Sequence, residues 1–111
     1  MTAKDDTVYL KHILDAIAKI EEYAAKTDPS KFLKDSLIQD GIIRQIEIIG
    51  EATKNISTAF REKHKDIVWK DIAGMRDKLI HGYFGVDLNA VWDTTTKDIP
   101  KLKTSVAQLL K

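Results

Sequence analysis

The sequence contains no cysteine and little that would interrupt a helix, with two prolines and five glycines in 111 residues. Without cysteine there can be neither a disulfide nor a thiolate metal site. No apolar run approaches the roughly 20 residues that span a bilayer. The N-terminal segment MTAKDDTVYL has no basic region followed by an apolar stretch, so no secretion signal is predicted. We expect a cytoplasmic protein without a membrane partner.

The composition is that of an ordinary folded domain, with 43% apolar and 32% charged residues. A chain of this length can bury roughly two thirds of the surface that it exposes when unfolded. We therefore expect a single domain over residues 1–111. The formal net charge of +1 does not show whether the protein binds nucleic acids. Such binding requires a local basic patch and does not require a high net charge of the whole protein.

The spacing of apolar residues predicts helices along the chain, and the first of them should end near Thr27. Asp28 and Pro29 resemble an N-cap followed by proline at the first helical position, which predicts a second helix from Ser30 to about Phe60. The isoleucines of its middle, GIIRQIEIIGEATKNI, cover more than one stripe of the helix. One face should pack inside a bundle, and the other indicates a central position or a homodimer interface.

A third helix is expected to begin near Val68 or Trp69 and to run to the region of Gly82. Asp87 can cap a short fourth helix. Pro100 should then break or restart the helix before a last amphipathic segment. Together these elements predict an all-α fold, a bundle of four to five helices.

The segment RDKLIHGYFG, residues 76–85, raises the question of whether a helix end is also a reaction site. At about 100° per residue, Arg76 falls at the centre of an apolar stripe of the third helix. A guanidinium group cannot lose its proton there, so it must be paired, reach solvent, or face a groove or partner subunit. His81 lies about 140° further round the helix and approaches Arg76 only if the helix unwinds near Gly82 or a second subunit contributes. Tyr83 follows beyond the expected helix end.

Structural interpretations of the same residues are also open. Arg76 can form an ion pair with Glu47 or Glu51 of the second helix. His81 can interact favourably with the dipole at a helix C-terminus. Glu47 and Glu51 share a helix face, as in carboxylate-bridged metal bundles, but no Glu-x-x-His pattern occurs, so no metal site is predicted.

Beyond spacing, this segment, the upstream IIGEATKNIS and the flanking VWKDIAGMRDKLIHGYFGVDLNAVW closely resemble the HepT-like branch of the HEPN superfamily over nearly the whole chain. That family is marked by the motif R-x-x-x-x-H-x-Y, here Arg76, His81 and Tyr83. The resemblance implies a helical-bundle ribonuclease that acts as the toxin of a toxin–antitoxin pair, commonly a homodimer whose two motif copies line one cleft. It also implies an antitoxin partner, an MNT-type minimal nucleotidyltransferase that resembles DNA polymerase beta and transfers AMP from ATP to Tyr83.

The chemistry of these residues suits the cleavage of cellular RNA, tRNA or mRNA, because RNA supplies its own nucleophile in the 2′-hydroxyl group. His81 can transfer protons near neutral pH, and Arg76 can bind the phosphate with a bidentate fork. Asp77 is spaced to orient the imidazole across one helical turn, and Lys78 adds positive potential. AMP on Tyr83 would place negative charge where the RNA phosphate must bind. No metal and no cofactor is expected.

Two other functions compete with this hypothesis. A catalytically silent HEPN subunit would bind its nucleotidyltransferase and receive AMP on Tyr83 without cleaving RNA. A helical adaptor would do no chemistry, and Arg76 would form an interface ion pair.

Overall fold

A computed structural model describes residues 5–80 and 85–111 of the chain, which fold as a helical bundle. The α-helices are α1 (Asp6–Ala25), α2 (Pro29–Phe32), α3 (Ser36–Lys54), α4 (Thr58–Lys63), α5 (Trp69–Ala73), α6 (Leu88–Asp93) and α7 (Ile99–Leu109). A 3-10 turn, Met75–Lys78, follows α5, and a π-helical segment, Thr94–Asp98, joins α6 to α7. The prediction of an all-α bundle is confirmed. Within the described ranges, no helix is long and apolar enough to cross a membrane.

The centre of the bundle is the pairing of α1 with α3, against which α7 also packs. Isoleucines at three- and four-residue steps supply its core, and none of the following is more than 1% exposed: Ile13, Ile17 and Ile20 of α1, and Ile42, Ile46 and Ile49 of α3. Full burial of one such side chain contributes about 1.5–3 kcal/mol. The period of 3.6 residues thus places the apolar face of each long helix in the core. On α3, Ile43 and Ile48 are half-buried against the same cluster.

The prediction of one helix from Ser30 to about Phe60 is wrong, because polar caps divide this stretch into α2, α3 and α4. The predicted cap at Asp28 is present, and Asp35 and Ser57 act in the same way. Each side-chain oxygen accepts a hydrogen bond from the backbone N–H three residues on, at 2.9, 3.1 and 3.1 Å. Short polar side chains compete with the helical backbone in this way and favour helix starts over helix interiors.

The third helix begins at Trp69 as expected, but the prediction that it continues to the region of Gly82 is wrong. The α-helix ends at Ala73, and the chain passes through Gly74 into the 3-10 turn. The end of α5 lies directly on α3, where a Cβ added at Gly50 would stand 3.0 Å from the carbonyl oxygen of Ala73. The absence of a side chain at Gly50 permits this close approach.

Residues on both sides of the segment 81–84 are held side by side. Ile80 and Val86 form an isolated antiparallel bridge, and the backbone N–H of Asp87 donates to the carbonyl of Leu79 at 2.8 Å. Gly85 has a φ of +94°, a conformation that glycine adopts without steric cost. Ile80 and Val86, which flank this segment, are therefore neighbours in space.

The C-terminal part of the bundle consists of three consecutive helical segments, α6, the π-helical segment and α7. The side chain of Asp87 caps α6, as predicted, by accepting from the N–H of Ala90 at 3.0 Å. Of the two outcomes expected at Pro100, a restart is observed, since α7 begins at Ile99 directly after the π-helical segment. Pro100 lies in the first turn of α7, the part of an α-helix in which proline is tolerated.

Candidate active site

Arg76 lies in the 3-10 turn between α5 and the bridge at Ile80, where its side chain is 45% exposed. The prediction that it occupies the centre of an apolar stripe is wrong. A 3-10 turn has 3.0 residues per turn, so the angular positions expected of an α-helix do not apply. Met75 and Leu79 of this region are buried instead, at 8% and 2% exposure. The guanidinium group can thus reach solvent without a large desolvation cost.

The ion pair that was predicted with Glu47 or Glu51 is formed with Glu47. The Nε of Arg76 donates to Oε2 of Glu47 at 2.7 Å, across 29 positions of sequence. Glu47 is 30% exposed, and its other oxygen, Oε1, lies 3.7 Å from Nη1 of Arg44. One carboxylate therefore lies between two guanidinium groups, with a hydrogen bond to only one of them.

The outer edge of the Arg76 guanidinium remains available. Its Nη1 lies 3.8 Å from Oδ1 of Asp77, which is beyond hydrogen-bonding distance. Neither Nη atom donates a hydrogen bond to another residue of the described ranges. Nε is held by Glu47, and the Nη atoms donate no hydrogen bond to a described residue. The guanidinium group can therefore bind a phosphate in the bidentate geometry that arginine favours.

Arg76 lines a groove of about 400 Å³ between α3 and the turn that follows α5. Its lining consists of Arg44, Glu47, Gly50, Glu51, Lys54, Ala73, Arg76 and Asp77. Lys54 is paired with Glu51 at 3.6 Å, so the charges at that end of the groove balance. The lining carries three cationic and three anionic side chains, which makes it a site for a polar ligand and not for an apolar one.

The predicted site residues are only partly brought together. Arg76 and Asp77 line the same groove, and the side chain of Asp77 is 81% exposed. Lys78 lies on a different cavity, of about 300 Å³, between the α5 region and α7, so the structure does not place it beside Arg76. His81 and Tyr83 lie outside the described residues. Their roles, and the orientation of the His81 imidazole by Asp77, stay predictions.

Arg44 and Lys54 are charged groove residues that the sequence did not single out. Arg44, Glu47 and Glu51 follow one another at three- and four-residue steps and therefore share a face of α3. If Glu47 is the partner of Arg76, this spacing indicates that Arg44 lies beside the same carboxylate. In the part of the chain that the structure describes, no group of three or more His, Asp or Glu side chains is arranged to hold a metal ion.

The model of the family described as "Ribonuclease HepT-like" matches residues 13–109, which include α3, the groove and the motif segment. The chain belongs to the HepT-like ribonuclease family. The resemblance inferred from the motif is thereby confirmed at the level of the family.

Relatives of this HepT-like chain cover nearly its whole length. A protein of Thermococcus cleftensis named "Probable ribonuclease HepT" is 48% identical over 93% of this chain and 94% of its own. A protein of Caldanaerobacter subterraneus subsp. tengcongensis named "Putative RNase" is 46% identical over 93% and 92% of the two chains.

A third relative is longer. The Methanocaldococcus jannaschii protein named "Gamma-glutamylcyclotransferase and putative RNase" is 49% identical over 97% of this chain, which spans 49% of that protein. No solved structure matches the chain significantly.

Proposed function

We propose that this HepT-like chain is a metal-independent endoribonuclease that cleaves cellular RNA, tRNA or mRNA, through its R-x-x-x-x-H-x-Y motif. The observation that supports this most is the state of Arg76, whose Nε donates to Glu47 at 2.7 Å in the lining of an open groove, while neither Nη donates a hydrogen bond to a described residue. Membership of the HepT-like ribonuclease family and the names of the relatives agree with the same chemistry.

The proposed reaction uses the 2′-hydroxyl of the substrate as nucleophile. His81 accepts the hydroxyl proton while the 2′-oxygen attacks phosphorus, and the bond from phosphorus to the 5′-oxygen breaks. The products are a 2′,3′-cyclic phosphate and a 5′-hydroxyl, whose proton comes from an imidazolium group or from water. Arg76 binds two phosphate oxygens and stabilises the negative charge that develops on them. Asp77 orients His81 in this scheme.

We further propose that the protein is the toxin of a HEPN/MNT toxin–antitoxin module. The partner is an MNT-type nucleotidyltransferase antitoxin, which attaches AMP to the hydroxyl group of Tyr83 and releases pyrophosphate from ATP. The added phosphate would repel RNA from the site. A homodimer would bring two motif copies to one cleft. Incubation with the partner enzyme and ATP should raise the mass of the protein by one AMP, and Tyr83→Phe should prevent this.

Cleavage is tested with the unmodified protein and the variants Arg76→Ala and His81→Ala. Each is incubated with total tRNA and mRNA in excess EDTA, and Lys31→Ala controls for loss of an exposed cation remote from the groove. The unmodified protein and Lys31→Ala should produce cleaved RNA ends, whereas Arg76→Ala and His81→Ala should produce none. Intact RNA in every reaction would refute the proposed activity, and AMP transfer to Tyr83 without cleavage would instead identify a binding subunit.

A further inference from the structure

The three arginines of the chain are used differently by the fold. Arg61 donates to the backbone carbonyls of Thr53, Lys54 and Ile56 and so closes the end of α3. Arg76 is held by its hydrogen bond to Glu47. Arg44 makes no hydrogen bond to a described residue, and its side chain is 67% exposed. Arg61 therefore has a structural role, whereas Arg44 lines the groove with only a weak ion pair to Glu47.

Arg44 and Arg76 approach different oxygens of the same carboxylate. Glu47 accepts a hydrogen bond at Oε2 from Nε of Arg76 at 2.7 Å, while Oε1 lies 3.7 Å from Nη1 of Arg44. Exposed ion pairs at such a distance contribute little to the free energy of folding, commonly about 0–1 kcal/mol. Arg44 can therefore exchange its contact with Glu47 for a contact with a ligand at low cost in free energy. The short contact to Arg76 stays in place, and the two guanidinium groups remain neighbours.

The lining of the groove has balanced charges, but Arg44 and the two Nη atoms of Arg76 donate no hydrogen bond to a described residue. Lys54 and Glu51 neutralise each other at 3.6 Å. Around Glu47, two guanidinium groups share one carboxylate, and the remaining acidic group, Asp77, lies 3.8 Å from Nη1 of Arg76 without a hydrogen bond to it. A chain of phosphates that enters here meets two adjacent bidentate donors.

We propose that Arg44 is a substrate-binding residue that contacts a second phosphate of the RNA, adjacent to the phosphate held by Arg76. The inference rests on the proposed ribonuclease function, because it takes the RNA backbone as the ligand of the groove. Arg44 binds the substrate in the ground state and in the transition state alike, since it lies outside the motif that reacts. Its loss should therefore raise KM and leave kcat nearly unchanged.

The test compares Arg44→Ala and Arg44→Lys with Lys31→Ala. Lys31 is a matched control, because it is 75% exposed and forms an ion pair at 3.9 Å with a carboxylate three residues away, as Arg44 does at 3.7 Å. Cleavage kinetics of a single-stranded RNA are measured for each protein. RNA affinity is measured separately, as a function of salt, in a His81→Ala background that leaves the RNA intact.

Arg44→Ala should raise KM about tenfold with kcat within about twofold of the unmodified protein, as expected for one lost charge-assisted contact. The slope of log affinity against log salt should become shallower by about 0.7 for a single strand. Arg44→Lys should keep the slope and lose only part of the affinity. The inference is overturned if Arg44→Ala matches Lys31→Ala in KM and slope, or if kcat falls at unchanged KM.

The two proposals can fail separately. If the unmodified protein binds RNA without cleaving it, and this binding depends on Arg44, the proposed ribonuclease activity is refuted. The proposed contact between Arg44 and a phosphate is then supported. Cleavage that is independent of Arg44 would do the reverse. If no RNA binds at any salt concentration, both are refuted.

Discussion

Replacing Gly50 by alanine tests whether the close approach of α5 to α3 positions the groove. The new Cβ would stand 3.0 Å from the carbonyl oxygen of Ala73, 3.8 Å from its carbonyl carbon and 3.9 Å from the carbonyl oxygen of Ile72. These are backbone atoms, so no side chain can rotate away. The end of α5 must therefore move outward by a few tenths of an ångström.

Two effects of opposite sign determine the stability of Gly50→Ala. Alanine in a helix interior stabilises the folded protein by about 0.5–1 kcal/mol relative to glycine, mostly through backbone entropy. Overpacking in a tight interior costs about 1–3 kcal/mol. The steric effect should dominate, because Gly50 is buried and its neighbour is backbone. We expect a net loss of about 1 kcal/mol and a fall in Tm of about 5 °C for a domain of this size.

The matched control is Gly41→Ala on the same helix. There the added Cβ would lie 3.1 Å from a ring atom of Tyr23, a side chain that can shift, and so the helical gain should offset most of the contact. Urea unfolding followed by far-UV circular dichroism measures both variants. Because the 3-10 turn with Arg76 follows α5, Gly50→Ala should also reduce RNA cleavage. A Gly50→Ala protein as stable as Gly41→Ala would refute this reasoning.

Other substitutions test single contacts. Glu47→Ala should lower RNA cleavage by about tenfold and Glu47→Gln by less, since the amide oxygen still accepts from Arg76; equal losses would contradict a positioning role. The unfolding free energy should change by less than about 1 kcal/mol in both, because the pair is exposed to solvent. Asp6→Ala should lower it by about 1–2 kcal/mol, since the carboxylate accepts from the backbone N–H and Oγ of Ser57 at 2.7 and 2.8 Å. Chemical denaturation that shows Asp6→Ala equal to Asp15→Ala, an exposed change on the same helix, would count against it.

Much of the bundle could be derived from sequence, because the signals involved are local. Apolar spacing predicted the first helix and an inward-packing face on the stretch that contains α3, and the caps at Asp28 and Asp87 are where they were expected. The errors arose where two local signals competed. Asp35 and Ser57 interrupt a periodic apolar pattern that continues on both sides of them, and periodicity alone does not say whether a polar residue caps a new helix or faces solvent.

The candidate site was derivable in its chemistry but not in its surroundings. The motif singled out Arg76, and the alternative ion pair with Glu47 was foreseen as one of two choices. Contact with solvent was one of the outcomes expected for Arg76, but spacing alone could not select it, because it depends on the change from α-helix to 3-10 turn after Gly74. Local spacing does not connect Arg44 to the motif, since its proximity to Arg76 exists only through Glu47.

The sequence by itself thus determined the helical class, the apolar faces and the family to which the chain belongs, because helical period, capping and motif depend on residues within a few positions of one another. Only the tertiary structure decided what Arg76 touches. Its partner lies 29 positions away, and their contact requires α5 to approach α3 over the bare backbone of Gly50. Packing between distant segments, which local spacing does not encode, forms the groove and leaves two arginines at its mouth.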